Sequence, residues 1–385
     1  DLMNICHVIT RLILGGAQEN TILTCEGLHQ AGHNVTLVTG PALGPEGELL
    51  TRARNGGYEV IVTDDLRREI NPLRDWRSLK KLRAIFAARK PDVMHSHSSK
   101  AGILARQAAW DLATPLVVHT IHGLPFHPYQ PWWLNRLYIM LERRCARHSG
   151  AIISVADAMT AKALAAGIGS PAQYVTIRSG METESFLNRP PQADEFRRGL
   201  NLPDGAVLFS QVSRIAPLKG HDFILSAAAQ VPNNIHFCFV GDGPISAQVA
   251  RRVDELGLSG RVHMTGLLPP DMMPAVMHAS DVVIHCSLRE GLARAIPQAM
   301  LAARPVASFD IDGAREVVTD ETGILLPGGD VPALVSAIVR LGTDESLRNR
   351  LGRAGRDLCR DLFDWRVMVR QIEDLYSRLL NQPAD

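Results

Sequence analysis

The segment DVVIHCSLREGLARAIPQAML (residues 281–301) contains the structural unit that decides the fold. Its opening is a short, continuously apolar and β-branched run, typical of a strand buried on both faces. A polar loop follows and carries Glu290 and Gly291, and the next residues predict a helix from about Leu292 to Ala302. A strand followed by a loop and a helix is the repeating unit of a parallel α/β sheet.

The same unit recurs along both halves of the chain. Strands are predicted at 3–9, 34–39, 58–63, 92–97, 115–120, 151–155, 206–213, 235–241, 261–266, 281–287 and 305–310. A stretch rich in proline and charge, 185–205, interrupts the alternation and is interpreted as the linker and the entry to a second domain. We therefore expect two Rossmann-like doubly wound domains, at 1–185 and 186–364, facing a central cleft where the strands end. A closing helix at about 365–385 is expected to pack back on the first domain.

Composition excludes several classes of protein. The 385 residues are 46% apolar and 21% charged, as in globular proteins with two cores. The net charge of +1 argues against nucleic acid as a partner, although residues 1–185 hold 20 Lys and Arg against 16 Asp and Glu. The apolar runs are shorter than a membrane span, and no basic and apolar leader opens the chain. We expect a cytoplasmic protein whose six scattered cysteines are buried, reduced thiols.

Phosphate chemistry is indicated by SRIAPLKGHDFIL (213–225). Arg214 follows a strand and Lys219 precedes a helix, so two cations and the helix dipole can act on one diphosphate. The alternative is two solvated surface charges. Strand-end glycine turns occur at Gly15-Gly16 and at Gly241, while the absence of G-x-G-x-x-G counts against a nicotinamide site.

Glu290 and Gln298 lie eight residues apart, a little over two helical turns. Glu290 is predicted at the helix entrance, so both side chains can project on one side and reach one ligand. The alternatives are a charge that favours the helix dipole for Glu290 and a surface residue for Gln298.

Metal binding is not predicted. His95 and His97 share a strand face, but no third ligand is evident, and we favour a role in lining the cleft, with Ser98 and Lys100 at the next helix start. The D-x-D of Asp310 and Asp312 is interpreted as loop structure.

The segment HPYQPWWLNRLYIMLERRCARH (127–148) combines aromatic and basic residues. Trp132 and Trp133 near its beginning and arginines after them suggest interfacial contact with a membrane. A core helix with a solvated basic face explains the pattern equally well.

Taken in order, these motifs resemble the retaining, two-domain nucleotide-sugar glycosyltransferases of family 4, which have the GT-B fold. The resemblance covers nearly the whole chain. It rests on the Gly15-Gly16 loop, SRIAPLKG, VGDGP (240–244), EGLARAIPQAMLAARPV (290–306), DGAREVV (312–318), TGILLPGGD (322–330) and DLYSRLL (374–380).

The resemblance implies transfer of a sugar, with retention of configuration, from a nucleotide diphosphate-sugar to a hydroxyl of a glycan or lipid-linked acceptor. UDP is the expected nucleotide because of its frequency in the family, the expected role is in cell-surface polysaccharide or glycolipid synthesis, and no cofactor or metal is expected. The implied catalytic residues are Glu290, His122 in HTIHGLPF (119–126), Arg214 and Lys219. The implied donor-binding residues are Gly15, Gly16, Arg214, Lys219, Gly241, Glu290, Gly291, Leu292 and Gln298. The acceptor-side candidates are His97, Ser98, Lys100, Trp132 and Trp133.

One position departs from the family pattern. The second glutamate of the Glu-x7-Glu motif, which grips the ribose in the family, is Gln298 here. Two alternatives therefore stay open: a nucleotide-sugar epimerase of the same double fold, and a non-catalytic nucleotide-sugar-binding protein.

Overall fold

The computed structural model describes residues 2–42 and 49–381. The chain forms two compact units, one comprising Asp1–Met181 with Asp364–Asp385 and the other Glu182–Phe363. The two predicted doubly wound α/β domains are confirmed.

The first unit is built on a parallel sheet. Among the described residues its strands are β1 (Asn4–Ile9), β2 (Asn34–Thr39), β3 (Glu59–Val62), β4 (Val93–His97), β5 (Leu116–Ile121), β6 (Ala151–Ser154) and β7 (Tyr174–Thr176), in the order β3-β2-β1-β4-β5-β6-β7. Its helices are α1 (Gly16–Gln30), α2 (Leu50–Asn55), α3 (Pro72–Arg89), α4 (Ser99–Asp111), α5 (Trp132–Ala146), α6 (Asp157–Ala165) and the last helix of the chain, α15 (Trp365–Leu380).

The second unit has the same architecture. Its strands, within the described part of the chain, are β8 (Val207–Val212), β9 (Ile235–Val240), β10 (Val262–Gly266), β11 (Val282–His285), β12 (Val306–Phe309) and β13 (Gly323–Leu326), in the order β10-β9-β8-β11-β12-β13. Its helices are α7 (Glu184–Leu187), α8 (Gln192–Gly199), α9 (His221–Ala228), α10 (Ser246–Glu255), α11 (Met273–Ala279), α12 (Ala295–Leu301), α13 (Val331–Thr343) and α14 (Glu345–Leu362).

Helix α15 covers one face of the first sheet together with α1. Met368, Ile372 and Tyr376 on its apolar stripe are buried, which places the stripe in the core. The contact is close, because a Cβ added to Gly27 of α1 would lie 2.6 Å from Val369. Only a residue without a side chain fits there.

The segment 185–205 is the entry to the second unit, as expected, but it is helical and not an irregular linker. It forms α7 and α8, and α8 packs on α11 through the buried Ala193. Arg197 of α8 also pairs with Asp281 at 3.0 Å and donates to the carbonyl of Ala279. The charged residues that suggested a linker therefore hold α8 against the second unit.

Each sheet contains one position where the strand order reverses. It lies between β1 and β4 in the first unit and between β8 and β11 in the second. Loops leaving neighbouring strands on either side of such a position diverge, and ligands of doubly wound proteins bind in the crevice that results. The loops after these four strands carry about half of the predicted site residues, namely Gly15, Ser98, Arg214, Lys219, Glu290, Gly291 and Leu292.

Candidate functional site

In the second unit, the loop after β8 and the loop after β11 are joined by backbone contacts. Gly220 has a φ of +82°, and a Cβ there would lie 1.9 Å from the carbonyl oxygen of Cys286. The backbone N–H of Leu288 also donates to the carbonyl of Leu218 at 2.8 Å. Glycine is required at position 220 for both its conformation and this approach.

These contacts bring Lys219 against Glu290. The Lys219 ammonium and a carboxylate oxygen of Glu290 form a direct ion pair, and their side chains are 26% and 20% exposed. His285 lies beside the pair, with its Nε2 3.3 Å from the same carboxylate oxygen. Burial by itself would raise the pKa of Glu290, but the Lys219 charge, and after it the contact with His285, hold that pKa well below its ordinary value. Glu290 is therefore a carboxylate at neutral pH.

A residue outside the predicted site holds Glu290 in place. The backbone N–H of Glu290 donates to a carboxylate oxygen of Asp312 at 2.9 Å. The N–H of Gly313 donates to the carbonyl of Gly291 at 2.9 Å. The D-x-D that the sequence interpreted as loop structure thus orients the Glu290 loop, while Asp310 pairs with Arg315.

The predicted geometry of Glu290 and Gln298 is wrong in one respect. Helix α12 begins at Ala295, not at about Leu292, so Glu290, Gly291 and Leu292 lie in the loop that precedes it. Helical periodicity therefore does not relate Glu290 to Gln298. Gln298 is a partly exposed residue of α12.

Arg214 and Gly241 lie on neighbouring loops of the same sheet edge. Arg214 is exposed two residues after β8. Gly241 has a φ of +140° directly after β9, and a Cβ there would lie 2.1 Å from the carbonyl oxygen of Ser213. Gly241 therefore allows the β9 loop to approach the backbone beside Arg214.

Behind Glu290 is a small pocket with one unusual side chain. Its lining residues are His285, Ser287, Glu290, Ala293, Ile296, Ser308, Phe309, Ile311 and Ala314. Among the described residues, Nδ1 of His285 has no hydrogen-bond partner, although the residue is only 5% exposed, whereas Nε2 faces the Glu290 carboxylate. Buried polar atoms are normally paired. The sequence analysis did not select His285, and its only signal is a polar residue at the end of an apolar strand.

The first unit has a larger cavity, of about 260 Å³, at the edge where its strands end. Its lining residues are Ala17, Ser98, Ser99, His119, Thr120, Ile121, His122, Gly123, Leu124, Pro125, Glu142 and Ile168. His122 and Ser98, two of the predicted residues, are among them. Gly15 and Gly16 lie nearby in sequence, with Gly16 as the first residue of α1.

Glu142 is a second residue that the sequence analysis missed. It forms a buried ion pair with Arg106 at 2.6 Å, the two side chains being 6% and 1% exposed. Its other carboxylate oxygen is buried without a hydrogen-bond partner in the described part of the chain.

His97 was predicted to line the cleft, but it is not among the residues that line this cavity. It is fully buried among His7, His95 and His122, with ring centres 4.3 Å from His95 and 5.3 Å from both His7 and His122. His7 comes from β1, and ring nitrogens of His7, His95 and His97 lie within 4.8 Å of one another. The third histidine that the sequence did not reveal is therefore His7.

Three further acceptor-side candidates, Lys100, Trp132 and Trp133, lie outside the cavity lining. Lys100 pairs with Asp75 at 2.6 Å and donates to the carbonyl of Glu69. The Lys100 ammonium is therefore bound by the first turn of α3 and by the loop before it.

The first turn of α5 is exposed, so the core-helix explanation for Trp132 and Trp133 is wrong. Their side chains are 69% and 57% exposed, and the Arg136 guanidinium lies 5.8 Å from the Trp132 ring centre. None of the described helices is both long and apolar enough to span a bilayer.

The six cysteines match their prediction. Each is buried and none is in a disulfide. Burial raises the pKa of the Cys6 thiol to about 12, so this thiol is protonated and unreactive at neutral pH.

Two family models match the chain, one to each unit. Residues 15–180 match "Glycosyl transferase 4-like domain" and residues 192–358 match "Glycosyl transferases group 1". An Escherichia coli relative, UDP-Gal:alpha-D-GlcNAc-diphosphoundecaprenol alpha-1,3-galactosyltransferase, is 27% identical over 97% of this chain and 96% of its own. The 2-deoxystreptamine N-acetyl-D-glucosaminyltransferase of Streptomyces fradiae is 30% identical over 70% of this chain and 69% of its own.

Solved structures agree in fold. The Anabaena protein HepE, crystallised with UDP and glucose, superposes with a TM-score of 0.84 over 98% of this chain and 100% of its own, at 22% identity. With both family models matched in order along the two units, the chain belongs to the family 4 type of glycosyltransferases, with the GT-B fold.

Proposed function

We propose that this protein transfers a sugar, with retention of configuration, from a UDP-sugar to a hydroxyl of a glycan or lipid-linked acceptor in cell-surface polysaccharide or glycolipid synthesis. The observation that carries the proposal is the Lys219–Glu290 ion pair at the strand-order reversal of the second unit. The E. coli relative is named for a UDP-galactose donor and a lipid-linked acceptor, and HepE was crystallised with UDP, which supports this choice of donor and acceptor.

Lys219 and Arg214 each contact the diphosphate of the donor in this proposal. A lysine ammonium has three hydrogens to donate, so Lys219 can keep Glu290 and also bind a phosphate oxygen. Arg214, exposed on the same loop, supplies a second charged contact. Helix α9 begins directly after Lys219 and Gly220, so its first backbone N–H groups add a favourable dipole for a diphosphate.

Negative charge grows on the diphosphate as the bond from the sugar carbon to its phosphate oxygen breaks. Arg214 and Lys219 would stabilise that charge, so we propose that no metal ion is required. The acceptor oxygen forms its bond to the same face of the sugar carbon, and its proton passes to the departing phosphate oxygen. Glu290 holds a hydroxyl of the transferred sugar, and Gln298 contacts the ribose.

For the first unit, we propose that His122 contacts the transferred sugar, as the family resemblance implies, and that the cavity lined by His122 receives the acceptor. The exposed Trp132 and Trp133 favour a location at the inner face of the membrane, where a lipid-linked acceptor lies. Tryptophan side chains prefer the interface between lipid and water, so both would insert there.

A screen of nucleotide-sugars for thermal stabilisation, followed by calorimetry with UDP, tests the donor site. Arg214→Ala and Lys219→Ala are each expected to weaken UDP binding by about 1.5–3 kcal/mol, the value of a charge-assisted hydrogen bond. Arg252→Ala, which removes an exposed arginine of α10 paired with Glu255, is the matched control and should bind UDP normally.

Unchanged UDP affinity in both site variants would remove the diphosphate contact from the proposal. Consumption of the donor without any acceptor would instead favour an epimerase.

A further inference from the structure

A chain of hydrogen-bonded imidazoles runs inward from the cavity of the first unit. Nε2 of His122 lies 3.0 Å from Nδ1 of His97, and Nε2 of His97 lies 3.0 Å from Nδ1 of His7. His97 and His7 are completely buried. The His97 ring stacks with His7 and with His95, which contacts Tyr376 of α15, so these rings lie on the face of the sheet that α15 covers. Nothing in the proposed reaction explains two buried histidines behind a third.

A metal site explains these residues less well. His95 already uses Nε2 with Thr120 at 2.7 Å and Nδ1 with the hydroxyl of Tyr376, and both nitrogens of His97 are bonded as described. A metal held by His7, His95 and His97 would have to break some of these hydrogen bonds. The geometry is that of a hydrogen-bond network in which His95 and His97 each use both ring nitrogens.

The two buried rings of this histidine series, His7 and His97, are neutral. Burial lowers the pKa of His7 to about 3, and burial followed by the neighbouring histidines holds the pKa of His97 well below its ordinary value. A neutral imidazole has one N–H donor and one bare nitrogen acceptor. The three rings can therefore donate in only one of two directions, toward the cavity or away from it.

The innermost histidine, His7, decides the direction in which the rings donate their hydrogen bonds. Nε2 of His7 is buried and has no hydrogen-bond partner within the described residues. An orphaned buried N–H is rarer in proteins than an under-used acceptor, so the proton of His7 belongs on Nδ1. His7 then donates to Nε2 of His97, and His97 donates from Nδ1 to Nε2 of His122.

We propose that His7 and His97 are positioning residues that hold His122 in the tautomer protonated at Nδ1. This inference rests on the proposed function, in which His122 faces the transferred sugar. His122 then offers an N–H from Nδ1 to an oxygen of the substrate. Its Nε2 is occupied by His97, so His122 acts as a hydrogen-bond donor and not as a general base.

The direct test is the tautomer of each ring in the substrate-free chain, read from ¹⁵N-histidine NMR at neutral pH. We expect the proton on Nδ1 in His7, His97 and His122. A proton on Nε2 of His122 would overturn the inference, and so would stoichiometric zinc binding that shifts the His7, His95 and His97 rings. The measurement needs no activity, so it remains valid if the proposed function fails.

Variants of His97 separate positioning from filling space. His97→Asn places an amide N–H where Nδ1 was, within reach of His122, whereas His97→Gln places the same group where Nε2 was. We expect kcat to fall about three- to tenfold in the Gln variant, the effect of one neutral hydrogen bond, and to be largely kept in the Asn variant. His236→Asn is the matched control, because His236 is a buried histidine bonded to His263 in the second unit.

Equal loss of kcat in His97→Asn and His97→Gln would overturn the positioning role. So would a loss in the Gln variant that is confined to KM, because the donated hydrogen bond acts on the reacting sugar. If the wild-type tautomers are as expected but no sugar is transferred, the proposed function fails and the hydrogen-bond chain remains.

Discussion

Replacing Lys219 with methionine tests whether the ion pair with Glu290 exists as the structure has it. The substitution keeps most of the side-chain length and removes the charge. In the wild type the pKa of Glu290 is lowered, so the pair contributes stability above the unfolded glutamate pKa of about 4.3. That contribution is lost as pH falls through the folded pKa. Without Lys219, burial is opposed only by His285, and the pKa of Glu290 should rise.

The size of the effect follows from burial. Breaking a buried pair costs about 3–5 kcal/mol, and an exposed pair contributes about 0.2–1 kcal/mol. Lys219 and Glu290 are 26% and 20% exposed, so we expect a loss of about 1–3 kcal/mol at pH 7. For a unit of this size that corresponds to a fall in Tm of about 2–12 °C.

Thermal unfolding between pH 3 and pH 7 measures this, and hydrogen exchange of the β8 and β11 amides reports on the second unit alone. The difference in Tm between wild type and Lys219→Met should be largest near pH 7. It should shrink as the pH falls below the unfolded glutamate pKa of about 4.3. Arg252→Met, at an exposed pair, should shift Tm little at any pH. A difference for Lys219→Met that is independent of pH would refute the ionised pair.

Three other outcomes are expected. Gln298→Ala should raise the KM for the donor with little change in kcat, and Gln298→Glu should tighten donor binding because a carboxylate accepts from both ribose hydroxyls with charge assistance; unchanged kinetics in Gln298→Ala would make it a surface residue of α12. Replacing Trp132 and Trp133 together with alanine should reduce co-sedimentation with anionic liposomes, and equal sedimentation of variant and wild type would favour a soluble acceptor. Turnover should survive EDTA, whereas loss restored by manganese would show that the cations of the second unit do not suffice.

Sequence patterns predicted the strands that are short, apolar and buried, because their side chains face the core on both sides. They missed β7 and β13, at the edges of the two sheets, which are only three and four residues long and partly exposed. The helices within 185–205 were missed because the charges of this segment are satisfied by the second unit, and local composition does not reveal such contacts.

The sequence indicated which residues belong to the site better than it indicated which of their side chains contact each other. Lys219 and Glu290 were both selected, but their ion pair spans 71 positions and depends on Gly220 lying against Cys286. His7 was missed as a partner of His95 because only the strand order places β1 beside β4. Neighbours in a sheet are set by topology, which the periodicity of single segments does not encode.

The stereochemistry of transfer tests the central claim most directly. The protein is incubated with an α-linked UDP-sugar and an acceptor, and the anomeric configuration of the new linkage is read by NMR, for wild type and for Glu290→Gln. We expect an α-linked product from the wild type, and turnover reduced by about 10²–10³ in Glu290→Gln while UDP binding changes much less. A β-linked product, or a Glu290→Gln variant that transfers sugar at the wild-type rate, would contradict the account.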